Sequence, residues 1–234
     1  MTLRVGFDVD GVLADFRTAF EKTARRVLHH ATNAPEDPEC VRLSAVELDK
    51  VWQAIGRSHN WWASLGAFEP QQIPRLYELA RTLRWEVTFL TKRPPSAGDT
   101  VQFQTQWWLE QHGFAMPSVI TVPGSRGELA NALRLDLVVD DQFVNCAEIV
   151  GASTARAVLV LRRREAAARD RALARGVGVV ATLEEAIGVI ERLHDVLPKR
   201  RGRLLRLTDW FFGGERRTDA PLAPTTPRPP LTEP

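Results

Sequence analysis

The sequence predicts an α/β protein in three layers: one parallel β-sheet between two sets of helices, with a helical segment inserted after the first strand. Three observations predict it. Short apolar runs rich in valine, leucine and phenylalanine recur along the chain. In the second half they alternate with helical stretches, a pattern that packs helices on both faces of a parallel sheet. Between residues 15 and 84 the alternation stops and no strand-like run is found.

The expected strands cover residues 3–9, 87–90, 119–122, 137–139, 157–161 and 177–180, each short, apolar and bounded by polar or turn residues. Helices are expected over 100–112, 128–134, 142–150 and 165–175, and an amphipathic one over 182–197. In the first of these, Trp107 and Trp108 adjoin, so at least one should face the sheet. The interrupted interval offers helices over 16–29, 44–57 and 73–84, with Pro35 and Pro38 separating the first two. The chain thus divides into a core of residues 1–14 and 85–197, a helical insertion of 15–84, and a tail of 198–234. The tail is basic and then proline-rich, the composition of a solvated, disordered extension. Its mixture of Lys199, Arg200, Arg201, Arg203 and Arg206 with Trp210, Phe211 and Phe212 also suits an anionic surface or a partner.

Charge narrows the function classes. The 234 residues carry 31 Lys and Arg against 29 Asp and Glu, but the tail holds eight of the basic and four of the acidic residues. The body is therefore near −2, which lacks the electrostatic footprint of a protein that grips duplex nucleic acid. Two cysteines, Cys40 and Cys146, are too few for a disulfide scaffold or a zinc site of their own, and a reducing cytoplasm is expected. Arg4, Asp8, Asp10 and Asp15 interrupt the N-terminal stretch where a secretory signal would be apolar, and no window approaches the length of a membrane span. The five histidines are scattered, with no pair at metal-ligand spacing beside a third ligand.

Carboxylates carry the chemical signal. The first strand runs Val5-Gly6-Phe7 into Asp8-Val9-Asp10-Gly11, so an apolar strand delivers two acids at its C-terminal end, and residues two apart in an extended chain point the same way. Gly11 lets the backbone turn just beyond them. A single such pair is commonly a turn or a helix cap. A second pair, Asp140-Asp141, ends the run Leu137-Val138-Val139 in the same manner, and a parallel sheet would bring both ends to one rim. Two like charges about 4 Å apart repel by about 4 kcal/mol at an effective dielectric of about 20, so such a cluster takes up protons or holds a cation. Oxygen-only ligands favour a hard ion, with Mg2+ expected. A third strand end, Val87-Thr88-Phe89-Leu90, leads into Thr91-Lys92-Arg93-Pro94, where a hydroxyl, backbone N–H groups and basic side chains suit phosphate oxygens.

In that order, Asp8-Val9-Asp10-Gly11-Val12, Thr91 after an apolar strand, Arg126 and Asp140-Asp141 resemble the motifs of the haloacid dehalogenase superfamily of phosphohydrolases, over residues 3–197. The resemblance implies a Rossmann-like core and makes the insertion a small helical cap. Within the superfamily, Trp61-Trp62-Ala63-Ser64-Leu65 and Phe89-Leu90-Thr91-Lys92-Arg93-Pro94 resemble the 5′(3′)-deoxyribonucleotidase branch of the 5′-nucleotidases. The implied roles follow residue by residue. Asp8 is the nucleophile that forms an aspartyl-phosphate, while Asp10 protonates the leaving oxygen and later activates water. Thr91 and Arg126 hold the transferring phosphoryl group. Mg2+ is held by the Asp8 carboxylate, the Asp10 backbone carbonyl and one or both of Asp140 and Asp141. One departure stands out: the superfamily commonly presents lysine where this chain has Arg126, which keeps the charge and changes its geometry.

The expected function is a Mg2+-dependent phosphomonoesterase acting on a small molecule, with (deoxy)nucleoside monophosphates as leading substrates. Phosphosugars or other small metabolites are the alternative. A non-catalytic phosphate-binding or regulatory module is the rival from another class, and Arg126 is its only support in the sequence. Substrate contacts are expected from Lys92 and Arg93 and, for a nucleobase, from Phe16 and Trp62, since the insertion also carries Trp52, Trp61, Phe20 and Phe68. The sequence leaves the oligomeric state open.

Overall fold

The expected strands form a single sheet. A computed structural model describes residues 2–28, 43–122, 124–163 and 165–196. Its strands are β1 (Arg4–Asp8), β2 (Glu86–Thr91), β3 (Ser118–Thr121), β4 (Leu137–Asp140), β5 (Arg156–Val160) and β6 (Gly178–Val180). All pair in parallel, in the order β3-β2-β1-β4-β5-β6. The order reverses between β1 and β4, and a crevice opens at such a switch point, outside the carboxyl ends of the strands.

The sheet is apolar on both faces because both are covered. Along β4, Leu137 and Val139 join one core and Val138 the other; along β5, Val158 and Val160 oppose Ala157 and Leu159. That period of two places a helix layer on each side. One layer contains α4 (Val101–Gln111) and α8 (Leu183–Val196); the other contains α5 (Arg126–Ala132), α6 (Phe143–Ala152) and α7 (Ala166–Leu173). Trp108 is fully buried and Trp107 half-exposed, as the pairing of the two on one helix required.

The insertion supplies α1 (Phe16–Leu28), α2 (Ala45–Arg57), a short 3-10 turn at Trp61–Ser64 that the sequence pattern did not reveal, and α3 (Gln72–Leu83). Helix α2 begins on a reciprocal capping box between Ser44 and Glu47. Helix α3 packs beside α8 and returns the chain to the sheet: Arg75 at its start ion-pairs with Glu184 and Glu191 of α8. Val51, Ile55, Trp61 and Trp62 of the insertion share one continuous core with Phe7 and Val5 of β1. Among the described residues no helix is long and apolar enough to cross a membrane. Pro35, Pro38, Cys40 and the tail of 198–234 lie outside the described residues.

Candidate active site

Three adjacent strands, β2, β1 and β4, end at one rim with Thr91, Asp8 and Asp140. All three side chains are buried. Just beyond β1 the chain folds back tightly: Gly11 N–H donates to the Ala14 carbonyl, and the Leu13 and Ala14 N–H groups donate to that of Val9. Gly11 sits at φ +80°, and a Cβ there would lie 2.0 Å from Asp141 Oδ2. Only glycine lets the loop after β1 pass this close to the acid after β4.

One ligand oxygen from each of Asp8, Asp140 and Asp141 lies within 4.8 Å of the others. Arg126, at the start of α5, donates Nη2 to Asp8 Oδ1 and places Nε 3.8 Å from Asp140 Oδ2. Asp140 also accepts from Gln142 N–H at 2.8 Å and from Asn145 Nδ2 at 3.0 and 3.1 Å. Neither Gln142 nor Asn145 was legible as a site residue, since a single amide in a helix-starting segment carries no pattern.

Three carboxylates face one guanidinium. Burial, reinforced by Asp140, raises the Asp8 carboxyl well above its ordinary value despite Arg126. Burial likewise raises Asp140, against the hydrogen bond from Gln142 and the charge of Arg126. Asp141 is pushed up to about 7, first by burial and then by the charges of Asp140 and Asp10. Among the described residues, the buried side-chain polar atoms without a hydrogen-bond partner are Thr91 Oγ1, Arg126 Nη1 and Asp141 Oδ1. Buried polar atoms are ordinarily satisfied, so two donors and one acceptor left over in one cluster mark a place for ligands. The excess of hard oxygen donors and the unpartnered Asp141 Oδ1 fit a small hard cation such as Mg2+.

A cavity of about 250 Å³ opens on this cluster, lined by Asp8, Asp10, Lys92, Gly124, Arg126, Gln142, Asn145 and Glu148. Its lining has no apolar or aromatic side chain. A larger cleft of about 610 Å³ lies between α7 and β6. Size favours that cleft, but all three unsatisfied buried atoms belong to the strand-end cluster, and chemistry decides here over volume.

The structure brings Asp8, Asp10, Lys92, Arg126 and Asp140 together around the strand ends, with Thr91 ending β2 and Asp141 beside Gly11. Three other expected substrate contacts, Arg93, Trp62 and Phe16, are not in the lining of this cavity. Arg93 has no exposed side-chain surface and spends its guanidinium on Asp10. Trp62 is 1% exposed, and Phe16 stacks on both Trp62 and Trp52, each with centroids 5.9 Å apart. Phe16, Phe20, Trp52, Trp61 and Trp62 pack on one another, with Trp61 and Trp62 buried and the other three partly exposed. Lys92, one residue along from Arg93, is exposed at the cavity.

No family model matches the chain, and no curated protein matches it. Solved structures do. A haloacid dehalogenase-like hydrolase of Streptococcus pneumoniae superposes with a TM-score of 0.52 at 12% identity, over 81% of this chain and 98% of that one. A haloacid dehalogenase-type hydrolase of Bacillus subtilis, solved with bound magnesium, superposes with a TM-score of 0.51 at 13% identity, over 81% of this chain and 99% of that one. The chain therefore has the haloacid dehalogenase-like fold, a Rossmann-like parallel sheet flanked by helices, and its strand-end carboxylates stand at that fold's switch point.

Proposed function

We propose that this chain is a Mg2+-dependent phosphomonoesterase that works through an aspartyl-phosphate. One observation carries the reading: the buried carboxylates of Asp8 and Asp140, the half-buried one of Asp141, one guanidinium and three unsatisfied polar atoms lie where β2, β1 and β4 end. In the first step an Asp8 carboxylate oxygen bonds to phosphorus as the bond to the leaving oxygen breaks, and Asp10 gives that oxygen its proton. In the second, water gives a proton to Asp10 as its oxygen bonds to phosphorus, and the Asp8–phosphorus bond breaks to release phosphate. Dividing one displacement into two lets a positioned carboxylate replace water in the harder step. Thr91 Oγ1 and Arg126 Nη1 supply hydrogen bonds to the non-bridging oxygens, where charge is carried through the reaction. Asp8, Asp140, Asp141 and the Asp10 carbonyl would hold Mg2+, which neutralises the repulsion between attacking carboxylate and phosphoryl group. In this reading the insertion after β1 corresponds to the small helical cap that the resemblance implies.

Two substrate classes remain to be separated. Nucleoside monophosphates follow from the resemblance of Trp61-Trp62-Ala63-Ser64-Leu65 and Phe89-Leu90-Thr91-Lys92-Arg93-Pro94 to deoxyribonucleotidases. Phosphosugars and similar small polar phosphomonoesters are favoured by the polar, 250 Å³ cavity and by the buried state of Trp62. The purified protein should hydrolyse p-nitrophenyl phosphate with Mg2+ and lose that activity on chelation or as Asp8→Asn. Activity that survives either change refutes the mechanism. A protein that binds Mg2+ and phosphate and turns over no phosphomonoester is the regulatory module instead. Among substrates, a panel of deoxynucleotides against phosphosugars decides by kcat/KM.

A further inference from the structure

Arg93 was expected to reach toward substrate, yet it is turned away from the cavity. Its Nε donates to Asp10 Oδ2 at 2.8 Å and its Nη2 to Asp10 Oδ1 at 2.7 Å, a two-pronged fork on one carboxylate. Its third nitrogen, Nη1, donates to Thr105 Oγ1 on α4 at 2.9 Å. The face of the guanidinium lies 4.9 Å from the Trp62 ring, and Trp62 is fixed by donating Nε1 to the Pro94 carbonyl and N–H to Gln104 Oε1. Behind Trp62 stand Phe16 and Trp61. Every nitrogen of Arg93 is engaged, and none of its side-chain surface is open.

Asp10 differs. It is about a quarter exposed and lines the cavity. The carboxylate is thus pinned from behind by a rigid planar group and open in front, where each oxygen keeps a lone-pair direction. A general acid or base works only within hydrogen-bond reach of the atom it serves, and misplacement by about 1 Å costs about 100-fold.

From this arrangement we infer that Arg93 is the positioning residue for Asp10, and that the aromatic block of the insertion acts on the chemistry through Arg93 instead of by touching substrate. The inference rests on the phosphomonoesterase reading. It concerns a residue that never meets the substrate, so its signature is selective. Proton delivery matters for a poor leaving group and not for a good one.

The experiment compares Arg93→Gln and Arg93→Lys with the unaltered chain on 2,4-dinitrophenyl phosphate and on an alkyl phosphate such as glycerol phosphate, with thermal unfolding of each variant followed in parallel. Arg93→Gln should lower kcat/KM on the alkyl ester by about 100-fold. On the dinitrophenyl ester it should lower kcat/KM by less than about 5-fold while kcat and KM fall together, because attack by Asp8 needs no proton there and only the later hydrolysis does. Arg93→Lys retains one contact to Asp10 and should recover part of the alkyl-ester loss; should the glutamine variant not fold, the lysine variant carries the same comparison. Equal losses on both esters, or no loss on either, overturn the inference and leave the phosphomonoesterase intact. An unaltered chain that hydrolyses neither ester overturns the reading beneath it and the inference with it.

Discussion

Two arginine–aspartate pairs stand around the end of β1, each with a buried arginine, and they are opposites. Arg93 and Asp10 form a closed pair: both carboxylate oxygens and all three guanidinium nitrogens have partners. Arg126 and Asp8 form an open one. Arg126 is shared between Asp8 and Asp140 and keeps an unpartnered Nη1, while Asp141 adds a further carboxylate with an unpartnered oxygen. Breaking a buried pair costs several kcal/mol, so a closed pair holds structure, whereas charge left in surplus waits for a ligand. On this difference rests the proposed division between a residue that positions and residues that bind; the sequence alone had offered Arg93 as a substrate contact and Asp8, Asp10 and Arg126 as catalytic residues.

Substitutions break the contrast in a graded order. The largest effect is expected for Asp8→Asn, which removes the proposed nucleophile and should lower phosphatase kcat by at least about 10,000-fold, measured on p-nitrophenyl phosphate with Mg2+. Thr91→Val comes next. It deletes a hydroxyl that has no partner in the resting site, so kcat should fall by about 100-fold while the unfolding midpoint holds or rises. Loss of stability without loss of kcat would assign Thr91 to the core.

Asp141→Asn should weaken Mg2+ binding by at least about 10-fold in calorimetry and at the same time stabilise the metal-free protein at pH 8. The second half follows from the raised carboxyl. Asp141 sits at about 7 in the folded protein, against about 3.8 ordinarily. A group raised on folding contributes stability that is present at acid pH and lost as pH climbs through the folded value. The metal-free chain should therefore be less stable at pH 8 than at pH 5, and added Mg2+ should raise the unfolding midpoint more at pH 8. A flat profile would show that the three carboxylates are not in surplus.

A third ion pair sharpens the comparison at its smallest amplitude. Glu69 accepts the Leu183 and Glu184 N–H groups that open α8 and pairs with Arg162 at 2.8 Å, and Arg162 also donates to the Gly11 and Val12 carbonyls beside the Asp10 loop. Burial raises the Glu69 carboxyl, but these partners outweigh it and hold it below its ordinary value. Its contribution is present above the ordinary glutamate range and is lost as pH falls through the lower folded value. Glu69→Gln should cost about 1–2 kcal/mol in denaturant unfolding at pH 7, with a smaller difference near pH 3, and should leave Mg2+ affinity unchanged.

Period and punctuation made much of the architecture legible from sequence. Apolar strands ending in Asp8, Thr91 and Asp140 are local patterns, and a parallel sheet aligns strand ends by construction, so the sequence already determined that these groups share a rim. The helices of the insertion were legible for the same reason, since helical periodicity is a property of neighbours in the chain. Only the tertiary structure decided which charges meet. Arg93 is 83 residues from Asp10 and Arg126 is 118 from Asp8. Lys92 and Arg93 adjoin, yet one is exposed and the other fully buried, and Trp62 and Phe16 turned out to be one another's neighbours in a core. Pairing among buried ions depends on distance and desolvation in three dimensions, and neither quantity is written in the order of residues along a chain.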